Sequence, residues 1–301
     1  MPPANLRRST IPVTGFVEPQ FEDVRKQFLA NFESGKEIGA AVAVYQCGKL
    51  VVDLAAGTRD GTASTPYSCE TLQPVFSVSK GNHRARANML VDRGQLDVEA
   101  SVVRYWPEFA QANKSEIPVR WLLTHQSGVL GLDRRISHEQ LLDWNLVVQS
   151  LAAQAPDWKP GTLHGNHSLT YGFLVGEVIR RVTGLSAGQY LAREIAGPLH
   201  ADLFIGLPKN EEPRVSPVQL PEGVENAVGL GFLLPTEWCP LGGPGSFGTA
   251  GFGGSRARAN PELELAFVYT PNLCSLGHFS SREAALSRAV TVCAKRLSRN
   301  P

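Results

Sequence analysis

The chain has 301 residues, 43% hydrophobic and 19% charged, with a formal net charge of +1. That is enough apolar mass for one large core or two lobes, and it is not the composition of a disordered chain. A charge near zero leaves no electrostatic case for nucleic acid or an acidic membrane surface as the main partner, and clusters such as Arg84/Arg86 and Arg256/Arg258 read as solvated faces.

No stretch approaches the length of a transmembrane helix, and the basic pair Arg7-Arg8 has no apolar segment after it, so no secretory signal is read. Five cysteines (Cys47, Cys69, Cys239, Cys274, Cys293) are scattered without C-x-x-C spacing, which suits reduced thiols in a cytoplasmic protein and supplies no context for a catalytic cysteine.

From Glu18 to Ser34, apolar residues at Phe21, Val24, Phe28 and Phe32 follow a helical period and make one buried stripe. Gly39–Tyr45 and Leu50–Ala55 are apolar runs separated by Gln46-Cys47-Gly48-Lys49, a hairpin with glycine in its turn. Residues 57–70 form a loop, and a helix is expected from Ser77 to Arg93, stopped by Gly94.

The middle of the chain reads as mostly helical. A short helix starts at Ile117-Pro118, and a longer one spans Ser137 to Ala152 with Ser137 and Gln140 as a capping box and Leu141, Leu142, Trp144, Val148 and Leu151 mostly inward. Asp157–Thr162 is a sharp turn, followed by helices from Ser168 to Val182 and from Ser186 to Ile195. Residues 208–220 are a proline-rich connection; Gly229–Leu234, the stretch from Ser255 and Leu263–Thr270 are strand candidates. A final amphipathic helix from Ser280 to Leu297 carries Leu286, Val290, Cys293 and Leu297 on one stripe and a Ser280/Glu283 capping box. The order predicts an α/β (α+β) protein, one antiparallel sheet flanked by N- and C-terminal helices with a helical lobe inserted between them.

The chemistry points to Phe76-Ser77-Val78-Ser79-Lys80-Gly81. In a helix starting at Ser77, residues i and i+3 share a face, so the Lys80 amine stands one turn from the hydroxyl. A low-polarity pocket and the positive helix end both disfavour the lysine cation, and a neutral lysine can take the serine proton. Three further segments accompany it in order: Val119-Arg-Trp-Leu-Leu-Thr-His-Gln-Ser-Gly128, Trp158-Lys-Pro-Gly-Thr162 with the helix after it, and Phe247-Gly-Thr-Ala-Gly-Phe-Gly-Gly254.

Together these segments resemble the class C β-lactamase-like serine hydrolases, most closely the family VIII carboxylesterases and penicillin-binding-protein fold, over about Gly15 to Leu297. The resemblance implies a β-lactamase/transpeptidase-like domain over 15–298, its sheet lobe from 15–76 and 226–298 and its helical lobe at 77–225. It implies Ser77 as nucleophile, Lys80 as base, and an oxyanion hole from the backbone N–H groups of Ser77 and Phe252. His125 and Ser127 match a segment that looks structural.

Three departures stand out against that family. A tyrosine acid/base is expected after the W-x-P-G-T turn, but the residues are Gly165-Asn166-His167-Ser168, and an amide does not exchange a proton at neutral pH. His164, His167 and Tyr171 are the possible substitutes. The late triplet is Thr249-Ala250-Gly251, with no cation or imidazole on the lining strand. An apparent deletion between Leu220 and Gly229 shortens the helical lobe; it would expose the Ser77 helix and make the polar run Asn82–Arg86 tolerable, and Arg84, one turn from Lys80, would disfavour the lysine cation.

There is no Walker A loop, dinucleotide fingerprint or G-x-S-x-G elbow, and His164/His167 lack a third ligand in sequence, so no cofactor or metal is expected. The leading expectation is a carboxylesterase-type hydrolase acting on a small-molecule ester or amide through an acyl-Ser77 intermediate. The alternative is a pseudoenzyme of the same fold serving as a binding or scaffolding module. β-Lactamase or D-alanyl-peptidase activity comes third, since those substrates lie outside the cytosol.

Overall fold

The computed structural model describes residues 11–60, 65–219, 245–275 and 281–297. In chain order its elements are strand β1 (Val13–Val17), helix α1 (Glu22–Glu33), strands β2 (Gly39–Gln46) and β3 (Lys49–Gly57), helices α2 (Ser79–Asp92), α3 (Val119–Leu123), α4 (His138–Leu141), α5 (Trp144–Ala153), α6 (Thr170–Thr183) and α7 (Ala187–Leu191), strands β4 (Phe247–Ala250), β5 (Arg256–Asn260) and β6 (Leu265–Pro271), and helix α8 (Ser281–Leu297). None of the helices among the described residues is long and apolar enough to cross a membrane.

The described residues fall into two compact units, one comprising those up to Val78 and from Pro208 onward, the other Ser79–Leu207. The helical part was expected to run on to 225. Isolated bridges from Leu72 to Val215 and from Gln219 to Leu273 tie the connection after Leu207 to the sheet unit instead.

The sheet unit has six strands in the order β1-β3-β2-β6-β5-β4, all neighbours antiparallel. This is the mixed α/β class and antiparallel sheet expected. Phe21 just before α1, the α1 stripe Val24, Phe28 and Phe32 and the α8 stripe Leu286, Val290 and Cys293 close one core with Val42, Leu54, Phe267 and Tyr269 of the sheet. Beneath the helices, Arg256 bonds to Glu283 at 2.9 Å and Arg282 to Glu37 at 2.7 Å, all four buried. Arg258 donates to Ser287 O at 2.8 Å. The 256/258 pair is therefore not a solvated face: alternate residues of β5 point inward, and both guanidinium groups find acceptors on α8.

The helical unit packs α2, α3, α5 and α6 about Leu90, Trp106, Leu122, Leu151, Tyr171, Leu174 and Val178. The helix expected over Ser137–Ala152 is two helices. Ser137 and Gln140 do form a capping box on α4, but the Asp143 carboxylate accepts from Leu146 N and starts α5 afresh. Leu142, expected inward, lies at this break and is 85% exposed. Helix α2 also starts later than expected: Phe76–Val78 is a separate 3-10 turn, and Ser79 is the first α-helical residue. The candidate strand Gly229–Leu234, Cys239, the Ser280 cap and the apparent deletion after Leu220 lie outside the described residues.

Lys114 is fully buried in this unit and is held by backbone carbonyls. Its ammonium donates to Gln111 O at 2.8 Å, Ala152 O at 3.0 Å and Gln154 O. Removing the donor takes this bond from Ala152 O and Gln154 O, while Gln111 O keeps the backbone N–H of residue 114. Lys114→Met is expected to lower stability by about 1–2 kcal/mol, read as a shift in the urea midpoint, because the buried Ala152 carbonyl loses its donor.

Candidate active site

Ser77 lies one residue before the end of the sheet unit's first segment, on the 3-10 turn after Val75, and is 7% exposed. The residue before it, Phe76, has φ +46, a left-handed conformation that bulky side chains rarely adopt. Strand β4 lies against this turn: the Thr249 hydroxyl donates to Ser77 O at 3.3 Å, and the Phe76 and Phe252 rings meet edge to face at 5.7 Å. A Cβ on Gly251 would stand 2.3 Å from Val75 O, so only glycine allows the strand end to come this near. Ser77, Thr249, Gly251 and Phe252 are thus gathered in one place within the sheet unit.

Lys80 opens the helical unit in the first turn of α2, three residues along the same continuous segment. It is 6% exposed; its ammonium donates to Ser168 O at 2.8 Å and stands 6.0 Å from the Tyr171 ring centre. Burial, and secondarily the Arg84 cation one turn along, push its pKa down to about 8. The Arg84 effect is the one its spacing predicted.

The polar run of α2 is not solvent-facing. Arg86 is fully buried, donating to Asn82 O at 3.0 Å, to Ala187 O, and to His83 Nδ1 at 2.7 Å. Arg84 donates from Nε to the Tyr171 hydroxyl at 3.1 Å and from Nη2 to Leu123 O at 3.0 Å. The run is tolerated because acceptors reach in from other segments, not because the helix is exposed. Buried beside Arg86, His83 is driven down to about 3 and stays neutral.

Around the Gly165–Ser168 turn the imidazoles are engaged in structure. His167 is fully buried, with Nδ1 2.7 Å from Gly165 O and Nε2 2.6 Å from Ser127 Oγ. The carbonyl only accepts, so the proton sits on Nδ1 and Nε2 accepts from the serine hydroxyl. His125 accepts from His167 N–H through Nδ1 at 3.2 Å and is held near pKa 3, mainly by burial. His164 is exposed and bonds through Nδ1 to Thr124 O at 3.0 Å. The Tyr171 hydroxyl accepts from Arg84, and burial raises its pKa. Of the three substitutes for the missing tyrosine, His167 and Tyr171 are therefore tied into bonds inside the helical unit.

Asn166 stands apart from this network. Its amide nitrogen and oxygen are both buried with no hydrogen-bond partner among the described residues. His125 Nε2 and Trp158 Nε1 are likewise buried without partners, and both residues border the same turn: Gly165 N donates to His125 O at 3.1 Å, and a Cβ on Gly165 would stand 2.2 Å from the Trp158 ring. No group of three or more His, Cys, Asp or Glu side chains arranged to hold a metal occurs among the described residues. Two participants escaped sequence reasoning: the Ser168 carbonyl, a backbone atom, and the Ser127–His167 pair, whose members lie 40 residues apart.

A family model described as Beta-lactamase matches residues 21–219. The chain is 36% identical over 222 residues to the Esterase/beta-lactamase LipL of Mycobacterium tuberculosis (strain ATCC 25618 / H37Rv), covering 72% of this chain and 51% of LipL. It is 30% identical over 181 residues to Esterase EstB of Burkholderia gladioli, covering 54% and 45% respectively. The chain spans about half the length of these curated relatives. A crystal structure of a family VIII carboxylesterase superposes with TM-score 0.88 at 29% identity, and a penicillin-binding protein homologue from Caulobacter crescentus with TM-score 0.86 at 27%; each covers 94% of this chain and 100% of the other.

Proposed function

The chain belongs to the beta-lactamase family, in its class C-like serine hydrolase branch, and on that premise we propose that it hydrolyses small acyl esters through an acyl-Ser77 intermediate. The observation that carries the reading is Lys80, buried three residues after Ser77 with its pKa pushed down to about 8. About a tenth of such a group is neutral at pH 7, where an unperturbed lysine has almost none.

In this proposal neutral Lys80 takes the Ser77 Oγ proton as the oxygen attacks the ester carbonyl. The backbone N–H groups of Ser77 and Phe252 receive the tetrahedral oxyanion. Collapse breaks the bond to the alkoxy oxygen, which leaves with the proton from Lys80, and water then releases the acid and restores the serine. Carboxylic esters are favoured over lactams on the esterases among the relatives and structural neighbours.

The test is covalent labelling. A fluorophosphonate is expected to add once, at Ser77, in step with loss of p-nitrophenyl acetate hydrolysis, and Ser77→Ala is expected to take neither the label nor the ester. Absence of both labelling and turnover in the unmodified protein would sink the proposal. Rapid turnover of a chromogenic cephalosporin with no ester hydrolysis would move the activity to lactams. One observation favours a second reading, a catalytically impaired member of the fold: the unpartnered Asn166 amide where an acid/base tyrosine is expected.

A further inference from the structure

We propose that His167, locked by the Ser127 hydroxyl, is a positioning residue for Lys80, holding the Gly165–Ser168 turn so that the Ser168 carbonyl meets the lysine ammonium. The proposal rests on Lys80 being the base of the hydrolase reading.

The geometry forms a closed chain within the helical unit. Lys80 Nζ bonds to Ser168 O at 2.8 Å; the adjoining residue, His167, binds back across its own turn to Gly165 O at 2.7 Å and outward to Ser127 Oγ at 2.6 Å. Ser127 is itself fully buried and accepts from Val129 N at 3.3 Å, so its hydroxyl hydrogen is committed to His167. Two further bonds support the same turn, one between backbone groups from Gly165 N to His125 O at 3.1 Å and one from the His167 backbone N–H to the His125 ring at Nδ1, 3.2 Å. The side-chain pair adds what backbone bonds alone do not, a fixed ring orientation and a single tautomer.

A carboxylate would place Lys80 by charge as well as by direction. A carbonyl does so by direction alone, and a hydrogen bond weakens steeply once misaligned. The turn that aims this carbonyl therefore has to be rigid. Among the described residues, the charged and titratable groups around Lys80 include Arg84 and His83 on α2, Tyr171 on α6, and His125 and His167. The Ser168 carbonyl is an aligned acceptor that stabilises the cation among them.

The experiment is a carbon-13 NMR titration of the Lys80 side chain, assigned by its loss in Lys80→Arg, in the unmodified chain, Ser127→Ala and His167→Asn. Ser127→Ala removes the donor to Nε2, and circular dichroism shows that each variant is folded. In the unmodified protein the midpoint is expected near 8. In Ser127→Ala it is expected to fall by about half a unit or more, because the ammonium keeps its burial and loses an aligned acceptor. His167→Asn, whose amide can still donate to Gly165 O, is expected to fall less. An unchanged midpoint in Ser127→Ala overturns the proposal. So does a rise toward the free-lysine value, which would mean that the site had opened to water instead of losing one aligned bond. The titration reads Lys80 whether or not an ester is turned over, so failure of the hydrolase reading appears separately, as missing label on Ser77.

Discussion

Replacing Lys80 by methionine is expected to lower kcat/KM for p-nitrophenyl acetate by about three orders of magnitude, within the usual range for loss of a positioned general base. Methionine keeps the buried stem and removes the amine, so the loss reports chemistry more than packing. The unmodified protein is expected to show the matching signature in its pH dependence. The working form is the neutral amine, so kcat/KM should climb about tenfold per pH unit below the lysine pKa and level off above it. That pKa is set near 8 by burial and by Arg84. The sign is fixed: a base held protonated at low pH gives a rising limb, with its midpoint about two units below that of an exposed lysine. A profile flat between pH 6 and 9 would remove Lys80 from the role.

Asn166→Tyr is expected to raise kcat by about a hundredfold. The asparagine places an amide that neither gives nor takes a proton where a phenol is expected, and its nitrogen and oxygen are buried without partners among the described residues. Such atoms carry a desolvation cost of about 1–3 kcal/mol each. Tyrosine removes that cost and supplies an exchangeable proton. A purified variant with unchanged kcat and intact fluorophosphonate labelling would mean that position 166 lies out of reach of the reacting atoms. A gain would mean that one side chain separates the present site from a competent one.

The parts of the fold legible in the sequence are those written in side-chain periodicity. The stripes of α1 and α8 and the β2–β3 hairpin follow from apolar spacing alone. Strand β1 was not legible, because its three central residues are exposed and no alternation marks it as an edge strand. The break between α4 and α5 turned on one local choice, the Asp143 carboxylate capping Leu146 N, which an apolar pattern across the break conceals. At the site, the Ser77–Lys80 spacing was plain. The burial of Arg86, Arg256 and Arg258 was not, because each has an acceptor 27 to 101 positions away: Ala187 O, Glu283 and Ser287 O. The Gly251 approach to Val75 also joins distant segments, and only the small size of one residue hints at it.

The acceptors in the helical unit have a consequence for descent. Lys80 donates to Ser168 O, Arg84 to Leu123 O, Arg86 to Asn82 O and Ala187 O, and Lys114 to Gln111, Ala152 and Gln154 O. A cation held by a carboxylate ties two side chains together, and drift at one position forces a matching change at the other. A cation held by a carbonyl makes no such demand: every amino acid supplies the oxygen, so positions 168, 187 and 152 can change identity while the bond persists. Lys114, held by three carbonyls, can thus be inherited without a matching change at its acceptors, whereas Arg84 also uses the Tyr171 hydroxyl, Arg86 the His83 imidazole, and Arg180 and Arg181 the Glu177 carboxylate.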